Sequence, residues 1–199
     1  VGLDETIDLG TGQSKEACDK HGKGRVYLDF VNSIHGLLKK HGKRMQFWGD
    51  IILEHPTLIE ELPKDAVVLE WGYEAKHPFD KHGQQFAEAG LDYYVCPGTS
   101  AWNSIAGRTE NAIQNLANAA QNGTKHGAIG YLTTDWGDNG HLQPLPASYV
   151  GWLTGAAFSW TTPTQEQVER FDLPALLNQY IFQDDSDTMG QLLCDLGNA

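Results

Sequence analysis

The chain has 199 residues, 40% of them hydrophobic, with 26 acidic against 14 basic side chains and a formal net charge of −12. That length and apolar content fit one substantial core, while the negative charge argues against nucleic acid or an anionic membrane surface as a partner. No apolar run is long enough to span a membrane, and no basic amphipathic stretch is present to lie on one.

The chain opens on Val1-Gly2-Leu3-Asp4-Glu5-Thr6, an apolar lead-in to two adjacent carboxylates, followed by the Gly-rich Asp8-Leu9-Gly10-Thr11-Gly12. This is how the C-terminal end of a parallel barrel strand reads, where the loop behind the strand carries chemistry. Neighbouring side chains on a regular strand point to opposite faces, but at a strand end both acids can turn toward one pocket. Ser14 to Lys20 is a short polar helix or loop, broken at Gly22 and Gly24. Arg25 to His41 is an amphipathic helix with Val26, Phe30, Ile34, Leu37 and Leu38 inward, closed by Gly42. Met45 to Trp48 reads as a buried strand, Ile51 to Leu62 as a short helical connection, and Ala66 to Trp71 as the next strand.

The cycle then repeats. Pro78 to Ala89 is a helix with Pro near its start and Gly90 behind it, leading into the strand Leu91 to Cys96. Asn103 to Gln121 is a longer helix with Ile105, Ala112, Leu116 and Ala119 inward, and Ala128 to Thr134 is the last strand. Pro146 to Trp160 is an apolar helix whose Gly151 and Gly155 permit close approach, and its Trp152 and Trp160 are expected in the core. Beyond Pro163 the chain turns polar and helical, with an acidic run at Gln183-Asp184-Asp185-Ser186-Asp187. Repeated alternation of buried strand and helix is the α/β signature of a parallel sheet. The division expected is residues 1–163 as an α/β catalytic part and 164–199 as a helical, acidic extension.

One signature recurs at the strand ends: Phe47-Trp48-Gly49-Asp50, Glu70-Trp71-Gly72-Tyr73-Glu74 and Asp135-Trp136-Gly137-Asp138. A further strand carries Tyr93-Tyr94 and runs into Pro97-Gly98-Thr99-Ser100-Ala101-Trp102. Indoles repeated beside acids at equivalent strand ends fit a sugar pocket, since flat apolar faces stack on pyranose C–H groups while acids and amides take the hydroxyls. No His-x-His or His-Glu-x-x-His spacing supports a metal site, and no cofactor motif is present. Cys18, Cys96 and Cys194 are widely spaced and read as structural thiols. Arg108 reads as structural, and Asp8 and Asp135 as residues that cap turns or orient neighbours.

This ordered series resembles the C-terminal half of the catalytic barrel of glycoside hydrolase family 20, the β-N-acetylhexosaminidases. Asp4-Glu5 resembles the family's Asp-Glu pair at the end of its fourth strand, and Trp48, Trp71 and Trp136 resemble the indoles that enclose its N-acetylated sugar. Asp138 stands where the family has an acid for distal sugar hydroxyls. The resemblance implies about strands four to eight of a (β/α)8 barrel, no metal and no cofactor, and a glycan carrying N-acetylhexosamine as partner. It implies Glu5 as general acid/base and Asp4 as the residue that holds the substrate's acetamido group. Trp48, Asp50, Trp71, Tyr73, Tyr94, Trp102, Trp136 and Asp138 would bind substrate. Tyr73 and Tyr94 are both candidates for the family's acetamido-binding Tyr.

Two departures stand out. Val1-Gly2-Leu3 precedes the acids where the family has His-x-Gly-Gly, and the family's first-strand Arg has no counterpart here. About five of the eight strands of a barrel are accounted for, so the expectation is a partner half-barrel or edge-to-edge self-association. The competing readings are a sugar-binding module whose acids do not catalyse and, with less support, a metal-dependent hydrolase. Cytoplasmic and secreted locations are both compatible with the composition.

Overall fold

A computed structural model describes residues Val1–Ala199. Four strands, β1 (Gln46–Trp48), β2 (Val67–Trp71), β3 (Asp92–Cys96) and β4 (Gly130–Tyr131), form one sheet in that order. The strands are parallel, with Gln46, Phe47 and Trp48 of β1 in register with Val67, Val68 and Leu69 of β2. Parallel neighbours need crossovers, and helices supply them. In chain order the helices are α1 (Lys15–His21), α2 (Lys23–Lys40), α3 (Asp50–Leu53), α4 (Phe79–Glu88), α5 (Thr109–His126), α6 (Pro146–Trp160), α7 (Gln165–Glu169), α8 (Leu173–Leu177) and α9 (Met189–Leu196). The fold is α/β. The four residues Val67 to Glu70 of β2 are all buried, as a strand covered on both faces requires.

The runs of β1 to β3 and α6 lie where the apolar patterns place them, the last strand shortens from the expected Ala128 to Thr134 to Gly130–Tyr131, and four further local expectations change. Val1 to Glu5 is not a regular strand: Val1 N donates to Gln46 O at 2.9 Å and Trp48 N to Gly2 O at 3.2 Å, and the path then breaks. The connection after β1 is two pieces, α3 and a 3-10 turn Pro56–Glu61. Pro56 disfavours helical backbone at the residue before it, and His55 accordingly sits at φ −126°, ψ 61°. Helix α5 starts at Thr109 because Asn103 (φ 57°) and Gly107 (φ 89°) are left-handed, with Ser104 Oγ bridging Ala101 O and Gly107 N. It runs to His126 and stops at Gly127, whose φ of 74° is the left-handed cap glycine tolerates.

Helix α2 buries a different face from the one expected. Gly24, Tyr27, Leu28 and Val31 are buried, whereas Phe30 and Leu37 are 54% and 53% exposed. Gly24 is required there because a Cβ would lie 2.5 Å from the His55 ring. Nor does the core hold the two α6 indoles: Trp152 is 41% and Trp160 91% exposed.

The chain divides into two compact units. The first comprises Val1–Trp71, Asp80–Tyr94 and His126–Gly130. Its core draws on Leu28, Val31, Phe47, Ile52, Val68 and Phe86, all fully buried. The second comprises Gly72–Phe79, Val95–Lys125 and Tyr131–Ala199. Its core joins Ala112 and Leu116 of α5, Val150 and Phe158 of α6, Val168 of α7, Leu173 and Leu177 of α8, and Leu193 of α9. The residues from 164 onward therefore share one core with α5 and α6. Gly151 of α6 lies so close to Thr99 that a Cβ would stand 2.3 Å from the Thr99 Cα. Cys18, Cys96 and Cys194 are buried and form no disulfide.

Candidate functional site

In the first unit the acid pair sits on a kinked turn. Asp4 and Glu5 are exposed, and Leu3 (φ 76°) and Glu5 (φ 45°) both occupy the left-handed region. Side chains other than glycine adopt that region at a cost of about 1–3 kcal/mol each, so the surroundings must enforce it. Two side chains do so. Tyr27 Oη, from the buried face of α2, donates to Leu3 O at 3.0 Å. Glu5 N donates to Asp50 Oδ2, at the start of α3, at 2.8 Å. Gly49 brings Asp50 into place, since a Cβ there would meet Val68 Cγ1 at 2.6 Å. The remaining Asp50 oxygen, Oδ1, is buried with no hydrogen-bond partner. Burial pushes the Tyr27 phenol well above its ordinary pKa, and the charges of Asp50 and Asp4 add to the shift. Tyr27 therefore stays a neutral hydroxyl, able to donate at any physiological pH.

Glu5 opens onto a pocket of about 470 Å³ that Asp50, Trp71, Lys23, Glu54 and His55 also line. Trp71 is half-buried at the end of β2. Glu70, the residue before it, is 1% exposed and pairs with His82 of α4, Nδ1 to Oε1 at 2.6 Å. Trp48 is half-buried at the end of β1 and does not line this pocket. Tyr94 lies over the backbone of β4, where a Gly130 Cβ would meet its ring at 2.5 Å.

In the second unit, Tyr73, Trp102 and Trp136 form one aromatic group. Trp136 Nε1 donates to Tyr73 Oη at 2.8 Å, and the Tyr73 and Trp102 rings meet edge to face at 4.8 Å and 89°. Gly98 lies beneath both rings, because a Cβ would stand 2.4 Å from Trp102 and 2.9 Å from Tyr73. Burial raises the Tyr73 pKa, with the hydrogen bond from Trp136 opposing the shift. Asp138 follows on an exposed 3-10 turn, Asp138–Gly140. Thr99 Oγ1 donates to Asp135 Oδ1 at 2.5 Å.

Three amides on α5 fix the loop that carries Tyr73. Asn111 donates to Tyr73 O at 2.7 Å and accepts from Ala75 N at 2.9 Å. Asn115, fully buried, donates to Gly72 O and Glu74 O, both at 2.9 Å, and accepts from Gly98 N at 3.1 Å. Asn118 donates to Ala75 O at 3.1 Å and His77 O at 2.8 Å. Spacings of four and three residues put the three on one helix face. Arg108 is structural, making a bidentate pair with Glu74 at 2.8 and 2.7 Å.

The predicted residues thus include an acid group in the first unit, where Glu5, Asp50 and Trp71 line one pocket and Asp4 precedes Glu5 in the chain, and an aromatic group in the second (Tyr73, Trp102, Trp136, with Asp138 nearby in sequence), while Trp48 and Tyr94 lie on β1 and β3. Of the two candidate tyrosines, Tyr73 accepts a hydrogen bond from a predicted indole, Trp136. Sequence reasoning missed Tyr27, which reads as a helix residue off the apolar stripe, and the α5 asparagines. The latter do leave a signal, since asparagines at positions 111, 115 and 118 recur at helical spacing along a helix that also carries four Ala. No protein-family model matches the chain, and no curated protein sequence matches it.

Proposed function

We propose that this chain belongs to a glycoside hydrolase that releases terminal β-linked N-acetylhexosamine with retention, using the substrate's own acetamido group. On this reading the sheet supplies successive strands of a (β/α)8 barrel, with Val1-Gly2 ending the fourth strand and β1 to β4 serving as the fifth to eighth. The observation that carries the reading is the Asp4–Glu5 turn: two adjacent exposed acids, their backbone fixed in a strained conformation, with Glu5 and Trp71 lining one pocket.

The chemistry divides between the two acids. Glu5 protonates the leaving oxygen and later takes a proton from water. Asp4 holds the acetamido N–H, turns its carbonyl oxygen toward the anomeric carbon and stabilises the positive charge of the resulting oxazolinium ion. No carboxylate nucleophile is needed, which is the substrate-assisted exception to the paired-carboxylate rule. Trp71 offers an apolar face beside the acid. Tyr73 and Trp136 are mutually oriented polar aromatics of the kind that contact a sugar and its acetamido group.

The test is Glu5→Gln in the full-length protein, with sugar binding retained and turnover of substrates with poor leaving groups reduced by a factor on the order of 10² or more. A thiazoline mimic of the oxazolinium should bind the parent far better than the plain sugar, and Asp4→Asn should lose that preference. Near-parental turnover by Glu5→Gln would remove Glu5 from the mechanism, equal affinity for mimic and sugar would argue against substrate assistance, and a parent that binds the sugar without hydrolysing it would leave the sugar-binding reading in its place.

A further inference from the structure

The acid turn is gripped on both sides of Asp4 and at the backbone. Tyr27 Oη takes the carbonyl of Leu3, the residue before Asp4, and Asp50 Oδ2 takes the amide of Glu5, the residue after it. The same two gripped residues are the ones with positive φ. The grips come from separate elements: Tyr27 is 2% exposed on α2, and Asp50 begins α3 behind a glycine that no larger residue could replace without meeting Val68.

Asp50 shows that this arrangement is not optimised for stability alone. Its Oδ1 is buried with no hydrogen-bond partner, so the carboxylate bears a desolvation cost while one oxygen serves the Glu5 amide. A residue kept only for packing would be better satisfied or apolar. A carboxylate kept to fix one N–H at one position fits a demand for placement.

We propose that Tyr27 and Asp50 are positioning residues, a two-point clamp that holds the Leu3–Glu5 backbone so that Asp4 and Glu5 present their carboxylates in the reacting arrangement. This rests on the reading of Asp4 and Glu5 as the catalytic pair. Neither residue touches the reacting atoms in this role. They act through the backbone of the residues that do.

The clamp predicts a loss that depends on the leaving group. A misplaced acid matters where the departing oxygen needs a proton and matters little where it leaves unaided. In the full-length protein, Tyr27→Phe and Asp50→Ala should lower kcat/KM by about 10- to 100-fold on an alkyl or disaccharide N-acetyl-β-hexosaminide. The loss on a nitrophenyl substrate should be several-fold smaller. Asp50→Asn, which keeps an acceptor oxygen, should recover most of the loss seen in Asp50→Ala. A merely structural role would lower both substrates together through the folded fraction.

Amide hydrogen exchange at Glu5 gives a second readout that needs no activity, with exchange in Asp50→Ala expected at least about tenfold faster than in the parent. Unchanged Glu5 exchange overturns the clamp whatever the rates do. Faster exchange with equal losses on both substrates overturns its positioning role. A parent that hydrolyses neither substrate overturns the catalytic reading of Asp4 and Glu5, and with it the purpose of the clamp, while the exchange result still decides whether the grip exists.

Discussion

The acid turn and the aromatic group are anchored in opposite ways. The turn is exposed and strained, and one side chain grips its backbone on each side of Asp4. The Tyr73 loop is held by three asparagine side chains, one of them fully buried, and its rings press on a glycine backbone. Few anchors leave the turn's stability contribution small while its geometry stays sharply set. Many anchors make the loop part of the folding core. Substitutions in the loop should therefore be read mainly in stability, and substitutions at the turn mainly in rate.

The strongest way to break that contrast is Asn115→Ala. It strands Gly98 N and Gly72 O in a buried setting, at about 1–3 kcal/mol for each unsatisfied group, while Glu74 O keeps its bond from His77 N. A loss of at least about 3 kcal/mol in urea unfolding is expected; a loss near 1 kcal/mol would place loop and turn in the same class. Gly98→Ala comes next. Its methyl group would meet both Trp102 and Tyr73 inside 3 Å, so a loss of about 1–3 kcal/mol from overpacking should appear as a lower denaturation midpoint.

Tyr27→Phe should cost only about 1 kcal/mol, the net value of one ordinary hydrogen bond, while its effect on the rate far exceeds what that loss of folded protein allows. Equal proportional losses of rate and of folded fraction would collapse the contrast from the other side. The smallest expected effect is a pH dependence. The hydrogen bonds from Arg108 hold Glu74 below the usual carboxylate range. Its contribution is present above the unfolded-state value of about 4.3 and is lost as pH falls through the lowered folded value. Both partners are largely exposed, at 67% and 48%, so the contribution is well under 1 kcal/mol. Glu74→Gln should lower stability by a small constant amount above pH 6, slightly flatten the acid limb of the stability–pH curve, and converge with the parent at low pH.

Much of the fold was legible because its strands are apolar runs bounded by Gly, Pro or Trp-Gly, and α6 ends where its pattern does. The misplaced boundaries have local causes. His55 was drawn out of helix by Pro56, and the start of α5 was delayed by left-handed Asn103 and Gly107. The face of α2 was misread because a hydroxyl and a missing side chain decided it. Tyr27 turns in to reach Leu3 O and Gly24 turns in to admit His55, so the more apolar Phe30 is left exposed. Periodicity weighs hydrophobicity and is blind to both.

The site was legible as residue types and less so as geometry. Asp4, Glu5, Asp50 and Trp71 stand out by type and spacing, and Glu5, Asp50 and Trp71 do line one pocket in the first unit. The positive φ of Leu3 and Glu5 leaves no trace in sequence, because neither residue type is chosen for that conformation. Their strain is imposed from positions 27 and 50, far along the chain.

The α5 amides also constrain how this chain can change in length. Asn111, Asn115 and Asn118 reach the Tyr73 loop only while they share a face, and each residue inserted into a helix turns everything beyond it by about 100°. One residue gained or lost between Asn111 and Asn115 would leave at most one side of the ladder in place, whatever the identity of the residue. Length variation in relatives of this chain should then be absent from that stretch of α5 and collect in exposed turns such as Asp138–Gly140.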